Sequence, residues 1–436
     1  MKILIKNGRV IDPASKLDKV CDVTIAAGRI VSIGDSAGFT AAKVVDAGGC
    51  IVSPGLVDLA ARLREPGYEH EGMLESEMAA AVAGGVTSLV CPPDTDPVLD
   101  EPGLVEMLKF RAEKLHQARV FPLGALTRKL EGEILTEMAE LTEAGCVGFS
   151  QAETPLANTQ VMQRALQYAA TFGYTVWLRP QELHLGRGVA ASGALATRLG
   201  LPGVPVAAET IALHTIFELV KITGARVHLC RLSSADGVEL VRQAKAQKLP
   251  VTCDVSINSL HLTDNDIGFF DSRARLNPPL RQQRDRDALR AGLADGTIDA
   301  LVSDHTPVDE DAKTLPFGEA EPGATGLELL LALALRWGED SKAGIVRALS
   351  AITHAPAKVL GSSLGTLQAS IGQLAAGGIA DLCVFDPAAE WVVTPDALRS
   401  QGKHTPFAGY PMRGRVRFTI AAGQLAYESV ESASPA

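Results

Sequence analysis

The sequence RVHLCRLSSADGVELVRQAKAQKLPVTCD, residues 226–254, contains one complete repeat of the pattern that sets the fold class. A short apolar run at Arg226–Cys230 is followed by a helical pattern over Gly237–Gln247 and by a second apolar run at Pro250–Asp254. A strand, a helix and a strand in this order are typical of a parallel βαβ unit. The repeat predicts an α/β protein with helices between neighbouring parallel strands.

The alternation continues in both directions along the chain. Helical patterns include Leu74–Ala83, Gly103–His116, Glu133–Ala144, Gln160–Thr171 and Asp285–Ala294. Eight strands are predicted: Gly55–Leu59, Thr87–Cys91, Val120–Pro122, Cys146–Ser150, Thr175–Leu178, Arg226–Cys230, Pro250–Asp254 and Ala300–Asp304. Eight strands are the number that closes a (β/α)8 TIM barrel. An open doubly wound sheet is the alternative, but no GxGxxG motif follows the first strand, which disfavours a dinucleotide-binding sheet.

The two ends of the chain have a different pattern, with short strands separated by Gly, Asn and Pro. The amino-terminal strands are predicted at Ile3–Lys6, Val20–Ile25, Arg29–Ile33 and Lys43–Asp46, and the carboxyl-terminal strands at Leu382–Phe385, Val416–Ala421 and Gln424–Tyr427. These segments predict one small β-sandwich domain built from both termini. The expected division is therefore residues 1–52 and 363–436 in the sandwich, with residues 53–362 in the barrel. The tail Glu431–Ala436 is expected to be frayed.

Composition excludes several classes of protein. The 436 residues carry 41 basic and 51 acidic side chains, so the net charge of −10 argues against nucleic acid or an anionic membrane as the main partner. The longest purely apolar stretch, Leu329–Leu335, is much shorter than the ~20 residues of a membrane span. The seven cysteines are scattered singly and no secretory signal is evident. A cytoplasmic location is expected.

The carboxyl ends of barrel strands are where function is expected. Several segments there resemble the dihydroorotase branch of the amidohydrolase superfamily, in order and along nearly the whole chain. They are GLVDLAARLREPGYEH (55–70), CPPDTDPV (91–98), RLNPPLR (275–281), DGTIDALVSDHTPV (295–308), GATGLELLLAL (323–333), THAPAKVLG (353–361) and GGIADLCVFDP (377–387). The resemblance implies a (β/α)8 barrel, a β-sandwich, one or two zinc ions, and reversible closure of carbamoyl-aspartate to dihydroorotate in pyrimidine synthesis.

The sequence departs from that family at most of the implied zinc ligands. The two histidines after the first strand are replaced by Ala60 and Arg62. The histidines after strands five and six fall at Arg179 and Arg231. The acid after strand four falls near residues 150–152, which offer none, and only the strand-eight acid remains, as Asp304.

These replacements oppose a metal ion. Zinc needs three or four N, O or S ligands, whereas a guanidinium offers only hydrogen-bond donors and a fixed charge. A guanidinium ~6 Å from a dication costs about 5 kcal/mol at an effective dielectric constant of about 20. Without the metal there is no activated hydroxide for a cyclic amide. The sequence therefore predicts no metal, no cofactor and no catalytic residue of the family's kind.

The three arginines have two alternative roles. They could extend aside to solvent, or at least one could pair with Asp304 or Asp254 and so fill the vacated position with an ion pair. We favour the ion pair. His228 is expected to be a hydrogen-bonded core residue and His305 a packing residue.

Some residues implied to bind substrate persist. Arg64 stands where the family holds the substrate carboxylate, and Asn277 is kept. Asp94 replaces an asparagine and would repel that carboxylate. We treat Arg64, Asp94 and Asn277 as a vestigial substrate site. Cys91, Cys230 and Cys253 lie near strand ends, and buried structural thiols are favoured over a thiolate site.

Three functions remain open. The favoured one, by resemblance, is the non-catalytic dihydroorotase homologue that assembles as a structural subunit with the catalytic chain of aspartate carbamoyltransferase in some bacteria. The second is a cyclic-amide hydrolase with an altered or absent metal site, using Asp304 as base and Arg64 as anchor. Neighbouring arginines are expected to lower the pKa of Asp304, which disfavours this hydrolase. The third is a regulator that binds an anionic metabolite at the arginines. Self-association of the chain is a further open alternative.

Overall fold

Short strands with one buried face form the first part of the chain. The computed structural model describes residues 1–429. Alternating apolar residues such as Ile3 and Ile5 are fully buried, as expected for strands that cover a core on one face. The strands are β1 (Lys2–Lys6), β2 (Arg9–Asp12), β3 (Leu17–Val20), β4 (Val23–Ala26), β5 (Arg29–Ile33), β6 (Lys43–Asp46) and β7 (Ile51–Pro54).

Strands and helices alternate through the middle of the chain. The strands are β8 (Leu56–Asp58), β9 (Val86–Cys91), β10 (Arg119–Pro122), β11 (Gly124–Ala125), β12 (Phe149–Ser150), β13 (Thr175–Leu178), β14 (Ala190–Ala191), β15 (Gly203–Val204), β16 (Arg226–Leu229), β17 (Val251–Ser256) and β18 (Ala300–Val302). The helices are α1 (Leu74–Ala83), α2 (Pro102–Lys114), α3 (Met138–Ala144), α4 (Thr159–Phe172), α5 (Ala194–Leu199), α6 (Ala207–Thr223), α7 (Ala235–Ala246), α8 (Ile257–His261), α9 (Gln283–Asp295), α10 (Leu330–Asp340), α11 (Gly344–Ile352) and α12 (His354–Leu360).

The central strands are parallel and follow one another in chain order. One sheet has the order β10-β9-β8 and a second has the order β11-β12-β13-β16-β17-β18. The segments beyond the first and last of these strands meet at a parallel bridge between Ala61 and His305. The α/β class and all eight predicted strands are confirmed. Polar side chains that follow the strands are thereby collected at one end of the sheet.

The last strands return to the amino-terminal ones. They are β19 (Leu382–Val392), β20 (Pro411–Ala421) and β21 (Gln424–Glu428). One sheet has the order β21-β20-β19-β7-β2-β3, and a four-stranded sheet has the order β5-β4-β1-β6. Both contribute to one apolar cluster that includes Ile5, Val52 and Val384. The predicted pairing of the two termini in a β-rich module is confirmed.

The structure differs from the prediction in local detail. Strand four was expected over Cys146–Ser150, but only its last two residues form a strand, β12. The preceding residues, Cys146–Gly148, have no regular secondary structure. The long helix α6 was not predicted from its sequence. The expectation of a frayed tail at Glu431–Ala436 lies outside the described residues. Within residues 1–429, no helix is long and apolar enough to cross a membrane.

Candidate functional site

Three arginines converge at the carboxyl ends of the parallel strands. Arg62 follows β8, Arg179 follows β13 and Arg231 follows β16. Their side chains are only 8%, 7% and 6% exposed. The alternative in which they extend aside to solvent is therefore wrong. A buried guanidinium requires acidic or carbonyl partners, since its charge loses the solvation of bulk water.

Glu153 supplies the shared partner. Its Oε1 atom lies 2.9 Å from Nη2 of Arg62 and also accepts a hydrogen bond from Nη2 of Arg231. Its Oε2 atom lies 2.8 Å from Nη1 of Arg179 and accepts a hydrogen bond from Nδ2 of Asn277 at 2.9 Å. One carboxylate thus holds three guanidinium groups from three different strand ends.

Sequence reasoning missed Glu153. It placed the acid after strand four at residues 150–152 and concluded that none was available. The chain turns instead at Ala152, whose φ of 49° is in the left-handed region, and the next residue, Glu153, lies in the cluster. The signal that could have found it is the acid three residues beyond the buried strand end at Ser150.

Two further carboxylates complete the cluster. Nε of Arg62 donates to Oδ2 of Asp94 at 2.9 Å, and Nη1 of Arg231 donates to Oδ1 of Asp304 at 3.0 Å. The predicted ion pair between an arginine and Asp304 is confirmed. Three arginines face Asp94, Glu153 and Asp304, so the formal charges balance. We call these six residues the arginine–carboxylate cluster.

Burial and charge act in opposite directions on the cluster carboxylates. For Glu153, burial favours the neutral acid, but Arg231, Arg179 and Arg62 outweigh it and lower the pKa. For Asp304, burial is the larger effect and raises the pKa, although Arg231 opposes it. The expectation that neighbouring arginines would lower the pKa of Asp304 is therefore wrong, because desolvation exceeds the attraction of the arginines.

The backbone at the strand ends is held in an uncommon conformation. Arg64, Arg231 and Asp304 have φ values of 62°, 56° and 52°, in the left-handed region that non-glycine residues rarely occupy. At Arg231 the backbone N–H donates to Oδ1 of Asp254 at 2.6 Å, which helps to hold this turn. Such strain is typical of functional sites, and the side chains of Arg231 and Asp304 both lie in the cluster.

The vestigial substrate residues are occupied by contacts within the protein. Nε of Arg64 lies 2.6 Å from Oε2 of Glu71 and donates to the carbonyl of Pro307 at 2.8 Å. Asn277 also accepts a hydrogen bond from Nη2 of Arg179 at 2.6 Å. Asp94 is bound to Arg62, as described above. The remaining cavity beside the cluster has a volume of about 180 Å³.

Comparison with known proteins identifies the family. Residues 49–237 match the family model described as "Dihydro-orotase-like". The "Dihydroorotase-like protein" of Pseudomonas aeruginosa is 45% identical over 430 residues, which cover 98% of this chain and 100% of that protein. The chain belongs to the dihydroorotase-like family. A "Dihydroorotase" of Geobacter sp. strain M21 is 41% identical over 98% of this chain and 100% of its own length.

Solved structures support the fold of this dihydroorotase-like chain. L-Hydantoinase (dihydropyrimidinase) from Arthrobacter aurescens superposes with a TM-score of 0.86 and covers 98% of this chain and 96% of its own. D-Hydantoinase from a Thermus species gives a TM-score of 0.81 with similar coverage. Their sequence identities are 24% and 22%, so the similarity concerns the fold.

The zinc implied by the family does not fit the residues at the strand ends. Ala60 has no side-chain ligand atom, and the three arginines at the positions where the resemblance implies histidines can only donate hydrogen bonds. The carboxylates of Glu153 and Asp304 are already bound by these arginines. A dication in this position would have to displace guanidinium groups that cannot lose their charge.

A second group of ligating atoms lies beneath the cluster. Among the described residues, His228, Cys230 and Asp254 place ligand atoms within 4.8 Å of one another. Nε2 of His228 is hydrogen-bonded to Asp254 at 2.9 Å and Nδ1 to Thr252 at 2.8 Å. Burial raises the pKa of the Cys230 thiol well above its usual value. Both ring nitrogens of His228 are therefore already hydrogen-bonded within the protein. The prediction of a core role for His228 is confirmed.

The remaining predicted residues also have packing roles. His305 is fully buried, and its Nε2 atom is hydrogen-bonded to Glu77 at 2.7 Å. Cys91 and Cys253 are buried, and burial raises the pKa of Cys91 to about 12. A thiol with such a pKa is not a nucleophile near neutral pH.

Proposed function

We propose that this dihydroorotase-like chain is non-catalytic and acts as a structural subunit that assembles with the catalytic chain of aspartate carbamoyltransferase in pyrimidine biosynthesis. The observation that carries the proposal is the convergence of Arg62, Arg179 and Arg231 on Glu153. We also propose that the ordered parallel strands form a closed (β/α)8 barrel, which the bridge between Ala61 and His305 supports.

The cluster replaces the hydrolytic machinery with internal ion pairs. Hydrolysis of a cyclic amide needs an activated water and a group that polarises the carbonyl. In the cluster each guanidinium already has a carboxylate partner, and each carboxylate already has a guanidinium partner. A substrate would have to break these contacts before it could use any of the charges.

The size of the cavity supports the same conclusion. Ligand pockets usually occupy about 300–1,000 Å³. The cavity beside the cluster has only 180 Å³, because the guanidinium groups fill the centre of the strand ends. In this chain the fold is kept while its own side chains occupy the site at the strand ends, which favours a role for the outer surface. The family resemblance suggests the catalytic chain of aspartate carbamoyltransferase as the partner.

The first experiment measures zinc content and dihydroorotase turnover on one purified sample, with and without added zinc. We expect substoichiometric zinc and no turnover, while a dihydroorotase that retains the ligand histidines, measured in parallel, gives both. Co-expression with the aspartate carbamoyltransferase catalytic chain should then give a complex that co-elutes in size-exclusion chromatography. Stoichiometric zinc with turnover would refute the non-catalytic role, and separate elution would refute the structural one.

A metal-free hydrolase is the second candidate, and the raised pKa of Asp304 favours it. A general base works best when its pKa lies near the working pH, and Asp304 lies beside the cavity. Against it, Oδ1 of Asp304 accepts a hydrogen bond from Arg231, and Arg64 is bound to Glu71. Turnover without zinc that disappears in Asp304→Asn would establish this candidate in place of our proposal.

The regulator hypothesis is weakened by the cluster. It required free guanidinium groups for an anionic metabolite, but Arg62, Arg179 and Arg231 are each neutralised by a carboxylate. Thermal stabilisation of the chain by carbamoyl-aspartate that is lost in Arg231→Met would support the regulator hypothesis.

A further inference from the structure

A second cavity lies at the opposite end of the strands and is larger than the one beside the cluster. It has a volume of about 620 Å³ and is lined by residues at the amino ends of strands, such as Arg119, Thr175 and Arg226. Residues 362–365 and the turn between β20 and β21, with Ala422, close its other sides. This volume lies within the usual range for small-molecule sites, unlike the 180 Å³ beside the cluster.

An aromatic surface forms one wall of this amino-end cavity. The rings of Phe172 and Tyr174 are stacked, with their centroids 5.5 Å apart and their planes inclined by 11°. Phe149 packs against Tyr174 from the core with a centroid distance of 5.3 Å, which holds the Tyr174 ring in place. Although Phe172 lines the cavity, 55% of it remains exposed. A partly exposed stacked pair offers a flat surface for another ring.

Cations with no carboxylate partner line the same cavity. Within residues 1–429, neither Lys109 nor Arg226 has an acidic group within ion-pair distance, and Arg226 donates only to the carbonyl of Gly173. The third cation, Arg119, is paired with Asp381. Glu113 is the acidic residue that lines the cavity. In a chain of net charge −10, two cations against one carboxylate are a local excess of positive charge.

A glycine and a residue with a buried polar atom also line the cavity. Gly145 has a φ of 111°, which favours glycine, and Nζ of Lys109 packs against it, since a Cβ added there would lie 2.1 Å from this atom. Oε1 of Gln117, another lining residue, is buried and has no hydrogen-bond partner.

We propose that the amino-end cavity binds a small aromatic anion, with its ring on Phe172 and Tyr174 and its anionic group at Lys109 and Arg226. A neutral aromatic ring alone would make no ion pair with the two cations. An inorganic anion alone would make no contact with the aromatic wall and would fill only a small part of the cavity. Catalysis on this fold belongs to the other end of the strands, so the site is a binding site without chemistry. The inference does not depend on the proposed structural role.

Isothermal titration of the full chain with phenyl phosphate tests the proposal. We expect saturable binding at one site, with inorganic phosphate and phenol each binding at least about tenfold more weakly, since each lacks one of the two contacts. Lys109→Gln should weaken phenyl phosphate binding about tenfold and Phe172→Ala about fivefold. Lys114→Gln and Phe110→Ala are matched controls on α2, because neither residue lines the cavity.

Several outcomes would overturn the proposal. No saturable binding of phenyl phosphate would remove the site, and equal binding of inorganic phosphate would remove the aromatic part of the ligand. Equal effects in the site variants and in the α2 controls would place the ligand elsewhere on the surface. Circular dichroism and thermal melting of each variant show whether it is folded, and a variant that fails to fold is replaced by Arg226→Gln, for which about tenfold weaker binding is expected.

Discussion

The two ends of the parallel strands use charge in opposite ways. At the carboxyl end, three guanidinium groups are paired with three carboxylates, and the cavity beside them measures about 180 Å³. At the amino end, Lys109 and Arg226 lack acidic partners among residues 1–429, and the cavity measures 620 Å³. Buried charges need partners within the protein, whereas an exposed cation such as Arg226 stays accessible to a ligand. In our proposals, the carboxyl end of the strands serves the fold and the amino end binds the ligand.

The largest expected effect comes from breaking the arginine–carboxylate cluster. Arg231→Met removes a cation bound to both Glu153 and Asp304 and leaves Asp304 buried without an ion pair. Removing one partner of a buried pair costs about 3–5 kcal/mol of unfolding free energy. Urea denaturation, with the m-value checked for constancy, measures this loss.

Arg242→Met is the matched control for that substitution. Arg242 also contacts two carboxylates, Glu239 and Asp295, but all three side chains are 43–52% exposed. An exposed ion pair contributes about 0–1 kcal/mol, so this variant should remain close to the parent chain. Equal losses in the two variants would mean that burial does not distinguish the cluster from surface pairs.

A smaller effect, with a defined pH dependence, is expected for Glu153→Gln. Burial alone would raise the pKa of Glu153, but Arg231, Arg179 and Arg62 lower it below its value in the unfolded chain. The carboxylate therefore contributes stability above the unfolded pKa of about 4.3, and this contribution is lost as the pH falls through the folded pKa. The variant should lose about 1–3 kcal/mol at neutral pH, less than Arg231→Met, because the Glu153 side chain is 29% exposed and the glutamine oxygen still accepts a hydrogen bond from the arginines.

The difference in unfolding free energy between the parent chain and Glu153→Gln should stay constant from about pH 7 to about pH 5. It should become smaller below about pH 4. Asp304 has a raised pKa, so its contribution to the unfolding free energy changes with pH in the opposite direction to that of Glu153. Asp304 is present in both proteins, so this contribution does not enter the difference. Glu218→Gln, at a side chain that is 72% exposed, serves as the control and should show no such change. A difference that grows towards acid would show that the arginines do not lower the pKa of Glu153.

The contrast between the ends also explains what could be predicted from the sequence. The eight strands follow from local pattern and the arginine positions from the family resemblance, so the strands and the pairing of an arginine with Asp304 were predicted correctly. Glu153 was missed because its direction depends on the left-handed turn at Ala152, which no local pattern indicates. The amino-end cavity is assembled from α2, the segment 362–365 and the β20–β21 turn. Contacts between segments this distant in sequence cannot be predicted from one chain.

The smallest effect is expected at the amino end. Lys109→Gln removes a cation that has no acidic partner among the described residues, so no buried charge is left uncompensated. Substitutions of this kind usually change stability by less than about 0.5 kcal/mol, and urea denaturation in parallel with Arg231→Met makes the comparison direct. A loss above about 1 kcal/mol would show that Lys109 supports the fold and would remove the distinction between the ends. An unchanged unfolding free energy, together with weaker binding of phenyl phosphate, would show that Lys109 is needed for ligand binding and not for folding.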